Sequence, residues 1–401
     1  MLSIYLSKNV LTISKFAHTG RSLLARGLFD NHSRLLTNVT RRNVSNFVSG
    51  NSGRGRRVVG WWFMGCAGMV FGAVSIGGLT RLTESGLSIV DWNLIRGMKP
   101  PLNEEEWKAE FAKYQQYPEF SHKGGEAMTM EEFKFIFYME WLHRMWGRTI
   151  GVVYFLPAAY FWYRGYFTKP FKKRVVGAGA LLLFQGLLGW YMVKSGLDPS
   201  KNSDLIPRVS QYRLSAHLTS AFVLYAVLLR AGLIHLFPTF DHSGVPGIGR
   251  LRGLAHSAKS FMFLTAIVGA FVAGLDAGLV YNSWPKYANR WIPEDLYTRK
   301  PTWRNYTENP TMVQFLHRNL AYMTLATATV TWLVGRRMPL SPRARLALHA
   351  FAITGYTQVL IGVLTLIHYV PVWLASMHQN GFMIMLTTAF WLTTEIRRLP
   401  K

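Results

Sequence analysis

The sequence predicts an all-α polytopic membrane protein, with eight transmembrane helices arranged as two tandem four-helix bundles. Three observations carry that expectation. Half of the 401 residues are hydrophobic, and they gather in eight apolar segments, each able to cross a hydrocarbon core about 30 Å thick. The loops between the segments alternate between strongly basic and acid-containing. Pieces of the first half also recur in the second.

The chain opens with a leader over 1–57 whose only acidic residue is Asp30. It carries Lys8, Arg21, Arg26, Arg34, Arg41 and Arg42 among Ser, Thr and Asn. An Arg- and Ser-rich, acid-poor leader with amphipathic patches reads as a mitochondrial transit peptide, a disordered basic tail being the alternative. Apolar segments follow at 58–79, 133–162, 172–194, 208–236, 256–280, 311–335, 344–369 and 372–395. They divide into an N-terminal bundle (58–237), a linker (238–255) and a C-terminal bundle (256–401). The loops holding Lys172, Lys173, Arg174, Arg250, Arg252, Arg336, Arg337 and Arg343 share one face with both termini, so the positive-inside rule puts that face in the matrix of an inner mitochondrial membrane. The loops at 80–132, 195–207 and 281–310 face the other side.

A net charge of +25 would suit nucleic acid, but the charge lies in the leader and in short loops, leaving no compact basic domain to bind it. The partner expected from the apolar segments is membrane lipid. Cys66 is the sole cysteine, which rules out an internal disulfide and a thiolate metal cage.

The repeat shows in three places. Gly72 to Leu79 resembles Gly269 to Leu275, the His143 segment matches the His317 segment, and Gln185 to Gly189 recurs as Gln358 to Gly362. Four helices per unit gives both units the same orientation, a parallel repeat about an axis along the membrane normal. His143, His217, His317 and His378 fall on the second, fourth, sixth and eighth segments, 17 to 19 residues before the segment ends. At 1.5 Å per residue they share a depth about 25–29 Å from the matrix boundary. One histidine pair per bundle suits a haem iron with two axial imidazoles. A zinc or copper site would add a carboxylate or thiolate, which the His317 segment lacks. His235, His242, His256 and His368 lie near helix ends or loops and read as packing residues. Trp141, Trp146 and Trp190 read as interface or packing residues. Arg144, Arg148, Arg213 and Arg318 flank the ligand helices, where they could clamp haem propionates in bidentate fashion or simply snorkel to the interface.

One substitution separates the two copies. Glu140 sits a turn from His143, and Gln314 takes the matching place beside His317. A carboxylate can take a proton and an amide cannot, so Glu140 is the expected catalytic group of the first bundle. The competing role is to orient His143 or to pair with Arg144.

The runs Gly78 to Ser88, Asp91-Trp92, Lys99-Pro100-Pro101, Glu140 to Arg148, Gln185 to Leu197, Pro207 to Leu214, Ala273 to Gly278 and Asn282 to Lys286 resemble mitochondrial haem A synthases, from about residue 60 to the C-terminus. The resemblance implies an inner-membrane enzyme oxidising a ring methyl of haem O through alcohol and gem-diol to the formyl of haem A, for cytochrome c oxidase. It implies haem B as cofactor on His317 and His378, substrate haem on His143 and His217, and catalysis by Glu140. It implies a ferredoxin-type electron donor on the matrix side. Haem O synthase and oxidase assembly factors are the other partners, and a homo-oligomer is admitted. Some bacterial relatives carry a cysteine pair in the first outer loop; Cys66 lies in a helix, so nothing transfers from it. Two other readings stay open: a quinol-linked two-haem cytochrome that only moves electrons, and a haem transporter or chaperone.

Overall fold

The computed structural model describes residues 53–91, 99–123, 125–197, 209–238 and 240–398. The leader up to residue 52, Trp92 and the Pro207-Arg208 pair lie outside the described residues. Eight helices of 24 residues or more dominate. They are α1 (Gly53–Leu82), α2 (Met130–Tyr163), α3 (Lys169–Gly196), α4 (Gln211–Leu236), α5 (Ile248–Gly274), α6 (Pro310–Gly335), α7 (Pro342–Ile367) and α8 (Val372–Glu395). Among the described residues there is no strand, only an isolated bridge between Tyr287 and Arg290.

Two helix starts depart from expectation. α1 begins at Gly53, inside the expected leader, and α5 begins at Ile248, inside the expected linker. In α5 the first two turns carry Arg250 and Arg252, so hydropathy marks the start too late although the backbone is already helical. Five helices are long and apolar enough to cross a membrane: α1, α3, α4, α5 and α7. The remaining three, α2, α6 and α8, are the ones loaded with ionisable or amide side chains, and three of the four candidate histidines sit on them.

Capping sets the phase of two of these helices. Thr129 and Glu132 form a reciprocal capping box at the start of α2, which satisfies two otherwise orphaned backbone N–H groups. Asn309 caps α6 ahead of Pro310 at its first position, where proline costs no hydrogen bond.

α1 packs on α2 and α4, and α3 on α4; α5 packs on α6, and α7 on α8. Between these sets α4 lies against α5, while α8 touches α1, α4 and α5. The apolar core runs through all eight helices and includes Trp62, Phe63, Phe161 and Phe171 at the basic end. Cys66 is buried there and unpaired. At the same end Arg343 pairs with the buried Glu395 at 2.8 Å, and Arg252 donates to the Ile396 carbonyl. At the opposite end the short helices Glu104–Tyr114 and Pro118–His122 build an aromatic cap from Trp107, Tyr114, Phe120, Phe133 and Phe137.

Candidate functional site: four histidines on four glycines

Each of the four histidines lies over a glycine of a neighbouring helix. A Cβ on Gly77 would stand 2.7 Å from Cε1 of His143, one on Gly269 2.9 Å from His317, and one on Gly362 2.7 Å from His378. These spacings leave no room for a methyl group, so glycine is required for the ring to sit there. Gly189 meets His217 at an ordinary 3.5 Å. Gly77, Gly189, Gly269 and Gly362 fall five, seven, five and five residues before the ends of their helices at Leu82, Gly196, Gly274 and Ile367. All four rings therefore lie within roughly 8–11 Å of one end of the helix array.

The same contacts correct the register of the repeat. Gly269 under His317 is the counterpart of Gly77 under His143, not of Gly72, which packs on Trp146 instead. On this register the left-handed residues that follow each helix also superpose, Glu84 (φ +51°) on Asp276 (φ +52°). Small residues recur so often along these helices that a Gly-Ala match alone slid by five positions.

His317 and His378 face each other with ring centroids 6.4 Å apart, their planes at 82°. That span holds two metal–nitrogen bonds of about 2 Å plus the distance from each nitrogen to its ring centre, as two axial ligands of one iron require. Nδ1 of His317 lies 3.0 Å from the Thr265 carbonyl. This backbone acceptor selects the Nδ1–H tautomer and leaves the Nε2 lone pair free to coordinate. The Gln358 amide holds His378, lying 3.2 Å from Nδ1 and donating to the His378 carbonyl at 2.8 Å. Gln185 repeats that clasp: with its amide turned to suit its neighbours, it reaches Nδ1 of His217 at 3.2 Å and the His217 carbonyl at 3.1 Å. His217 lies within electrostatic reach of His143. Among the described residues no cluster of three or more His, Cys, Asp or Glu is placed to hold a bare metal ion. What the chain offers is paired imidazoles, which fit a haem.

Glu140 is 3 % exposed, and its carboxylate faces the turn after α1. Ser88 Oγ and the Ile89 N–H both donate to Oε2 at 2.8 Å, and Arg144 donates to Oε1 at 2.6 Å. None of its hydrogen bonds among the described residues goes to His143. Gln314 does the corresponding job with reversed polarity, its amide donating to the Ala277 and Tyr281 carbonyls at 2.8 and 3.2 Å. The two arginines keep the repeat as well. Arg144 donates to Ile89 O and Arg318 to Tyr281 O, each at 2.8 Å. Arg318, stacked 4.2 Å over the Tyr287 ring, has buried Nε and Nη1 groups with no partner. Those two nitrogens are the ones on Arg318 that could receive a carboxylate. Arg144 is engaged with the Glu140 turn, Arg213 stacks 5.0 Å over Tyr191, and Arg148 reaches Met145 Sδ at 3.9 Å. His235 and His242 are packing residues: His235 Nδ1 lies 2.7 Å from Ala231 O, and His242 accepts from the Ser341 N–H at 3.2 Å.

Sequence reasoning missed the partners of these groups. The Gln185/Gln358 repeat was a visible signal for the histidine clasps, but Ser88 and Ile89 lie about fifty residues from Glu140 and carried none. It also missed Glu119, buried in the outer cap with an unpartnered Oε2. Burial pushes the Glu119 carboxyl up to about 8, with Lys123 opposing and Glu140 and Glu84 reinforcing the shift. The folded chain therefore keeps a proton that the unfolded chain loses, so stability should fall as pH rises from about 4.5 to about 8. Lys123, lowered by burial, contributes in the opposite sense at higher pH. Thermal unfolding in detergent should show a midpoint that drops across that window, and Glu119→Gln should flatten the slope. An unchanged slope in the variant would refute this assignment.

The family model described as cytochrome oxidase assembly protein (COX15-CtaA) matches residues 60–390. Among curated proteins, "Heme A synthase COX15" of Bos taurus is 54 % identical, the match covering 88 % of this chain and 86 % of the relative. The Homo sapiens protein of that name gives the same identity and coverage. In the Mus musculus protein the identity is 52 % over 91 % of this chain and 88 % of the relative.

Proposed function

Because the chain belongs to the cytochrome oxidase assembly (COX15-CtaA) family, and is so similar to haem A synthases, we propose that it is a haem A synthase, converting haem O to haem A for cytochrome oxidase. The observation that carries this reading is the His317–His378 pair, apposed at 6.4 Å, with a tight glycine seat that recurs at His143 and a glutamine clasp that recurs at His217. All eight long helices span the inner mitochondrial membrane, in two parallel bundles of four joined at the 238–255 segment. Both termini lie in the matrix, and the histidine end of the array faces the intermembrane space. The basic leader ahead of α1 is a transit peptide.

His317 and His378 hold a haem b, with Arg318 offering its two unpartnered N–H groups to a propionate. When bound, that haem supplies one-electron transfer. His143 and His217 would hold the substrate haem O. Two successive monooxygenations, each consuming one O2, two electrons from the donor and two protons and releasing one water, convert its ring methyl to the alcohol and then to the gem-diol, which loses water to leave the formyl group. Glu140 takes a proton from the reacting carbon or its hydroxyl, or stabilises positive charge there. Arg144, at 2.6 Å, holds that carboxylate in place. Electrons reach the chain from a ferredoxin-type carrier docking on the basic matrix loops.

The test is turnover. Purified protein supplied with haem O and a reductant should yield haem A in extracted pigment. Haem O recovered unchanged from a chain that still binds two haems would favour the electron-transfer cytochrome. A smaller test addresses the seats: Gly362→Ala should displace His378 and cost about 1–3 kcal/mol of overpacking. It should also lower the occupancy of the resident haem, read from its Soret absorbance, while Gly147→Ala, which meets open space, should change neither.

A further inference from the structure

Among the contacts between the first four and the last four long helices, one touches both histidine sites directly. Two adjacent glycines on α1 face different sites. Gly77 lies under His143, and Gly78 lies against the Gln379 amide, where a Cβ would overlap the side chain. Gln379 and Asn380 directly follow His378. The Gln379 amide donates to the Val74 carbonyl at 2.6 Å, and Ser75 Oγ donates to Asn380 Oδ1 at 2.6 Å. We infer that Gln379 and Asn380 are positioning residues that tie the His378 site to the His143 site through α1, so that the resident-haem bundle sets the geometry of the substrate bundle.

The pseudo-equivalent contact shows that this clasp is not a general feature of the interface. In the corrected register Gly78 corresponds to Ala270, Ser75 to Ile267, and Gln379-Asn380 to Leu218-Thr219. At that second place, α4 against α5, the polar contact among the described residues is a single long bond, from Ser215 Oγ to the Ile267 carbonyl at 3.4 Å. Beside it Thr219, Ile267 and Phe271 line a largely apolar cavity of about 440 Å³. The α1–α8 contact thus carries two hydrogen bonds of 2.6 Å beside its glycine, where the α4–α5 contact has one of 3.4 Å and, at its end, Gly274 against Gln211. A helix held at Val74-Ser75, one turn from Gly77, has little freedom to move the seat of His143. Misplacement of a reacting group by about 1 Å can cost up to two orders of magnitude in rate, so such a lock has a use.

This inference rests on the haem assignment above, and the experiment separates the two. Ferric protein loaded with haem O is studied by low-spin electron paramagnetic resonance and by steady-state turnover. Wild-type protein lacking two distinct low-spin signals would defeat the haem assignment itself. Given two signals, Gln379→Ala should leave the His317/His378 signal and its occupancy intact, shift the g-values of the His143/His217 signal, and lower kcat about tenfold with KM unchanged. Gly78→Ala should give the same pattern by pushing Gln379 out. The double variant should be no worse than either single, because the added methyl occupies the space that the amide vacates. An unmoved first-site signal in Gln379→Ala, or additive effects in the double variant, would overturn the inference.

Discussion

Glu140→Gln should abolish haem A formation, lowering turnover about 10²- to 10⁴-fold, the range for removing a general base, while both haems remain bound. The substitution makes the first bundle resemble the second, which already carries Gln314 at this place. It is not isosteric in its hydrogen bonding. Glu140 accepts from Ser88, Ile89 and Arg144, all donors, whereas Gln314 donates to two carbonyls. A glutamine at 140 would turn its NH2 against a donor and leave Arg144 without its counter-ion. That costs about 3 kcal/mol at a buried ion pair, softened here by the Ile89 and Asp91 carbonyls that Arg144 also reaches. Two effects are therefore expected, a loss of stability and a loss of chemistry, and they separate cleanly. Ser88→Ala removes one of the turn's bonds to the carboxylate without removing the carboxylate. If anchoring the Ser88–Ile89 turn is the sole role of Glu140, the two variants should lose turnover in proportion to their loss of thermal stability. If Glu140 is the base, Glu140→Gln should stall far below Ser88→Ala at equal stability and accumulate haem O or its alcohol in the extracted pigment. Turnover above a tenth of wild type in Glu140→Gln would remove the carboxylate from the chemistry.

Five of the long helices were legible as bilayer-length apolar runs, and α2, α6 and α8 as apolar stretches interrupted by polar residues; the bounds slipped most where polar residues occupy a helix start. α5 starts at Ile248 because a helix can carry Arg250 and Arg252 out into the interface, which hydropathy cannot distinguish from a loop. The four histidines were legible as a set through their shared depth. Their seats were not, since Gly77, Gly269 and Gly362 resemble the many other small residues of these helices until the opposing ring is in place. The glutamate asymmetry was visible as a letter change. Its physical content, an acceptor facing an N–H in one copy and a donor facing a carbonyl in the other, depends on the turn after the preceding helix. Long-range partners of that kind leave no mark in local spacing. Glu119 escaped notice for a related reason: one more acid in an acid-containing loop looks solvated until the aromatic cap closes over it.

His317→Ala should strip the resident haem, taking its occupancy from about one per chain to near zero and haem A formation with it. One imidazole, His378, would remain on its Gln358 clasp, but a single axial ligand cannot restore the low-spin state of a bis-imidazole iron. The Thr265 carbonyl, deprived of its 3.0 Å partner, would be left facing the vacated space. Loss of the haem should also destabilise the fold, because a ligand bound only by the native state adds RT ln(1 + [L]/Kd), about 4 kcal/mol at a thousandfold excess over Kd. The informative comparison is with His143→Ala. Glycine seats underlie both sites, so the seats alone do not say which haem is resident. The assignment predicts a crossed result: His317→Ala protein isolates without haem b, whereas His143→Ala protein isolates with haem b in place and fails only to hold or convert added haem O. Arg318→Ala should lie between them, lowering haem b occupancy severalfold through loss of the two N–H groups that have no other buried partner. If His143→Ala protein is the one that loses its resident haem, the roles of the two bundles are reversed, and Glu140 then stands beside the electron-transfer haem instead of the substrate.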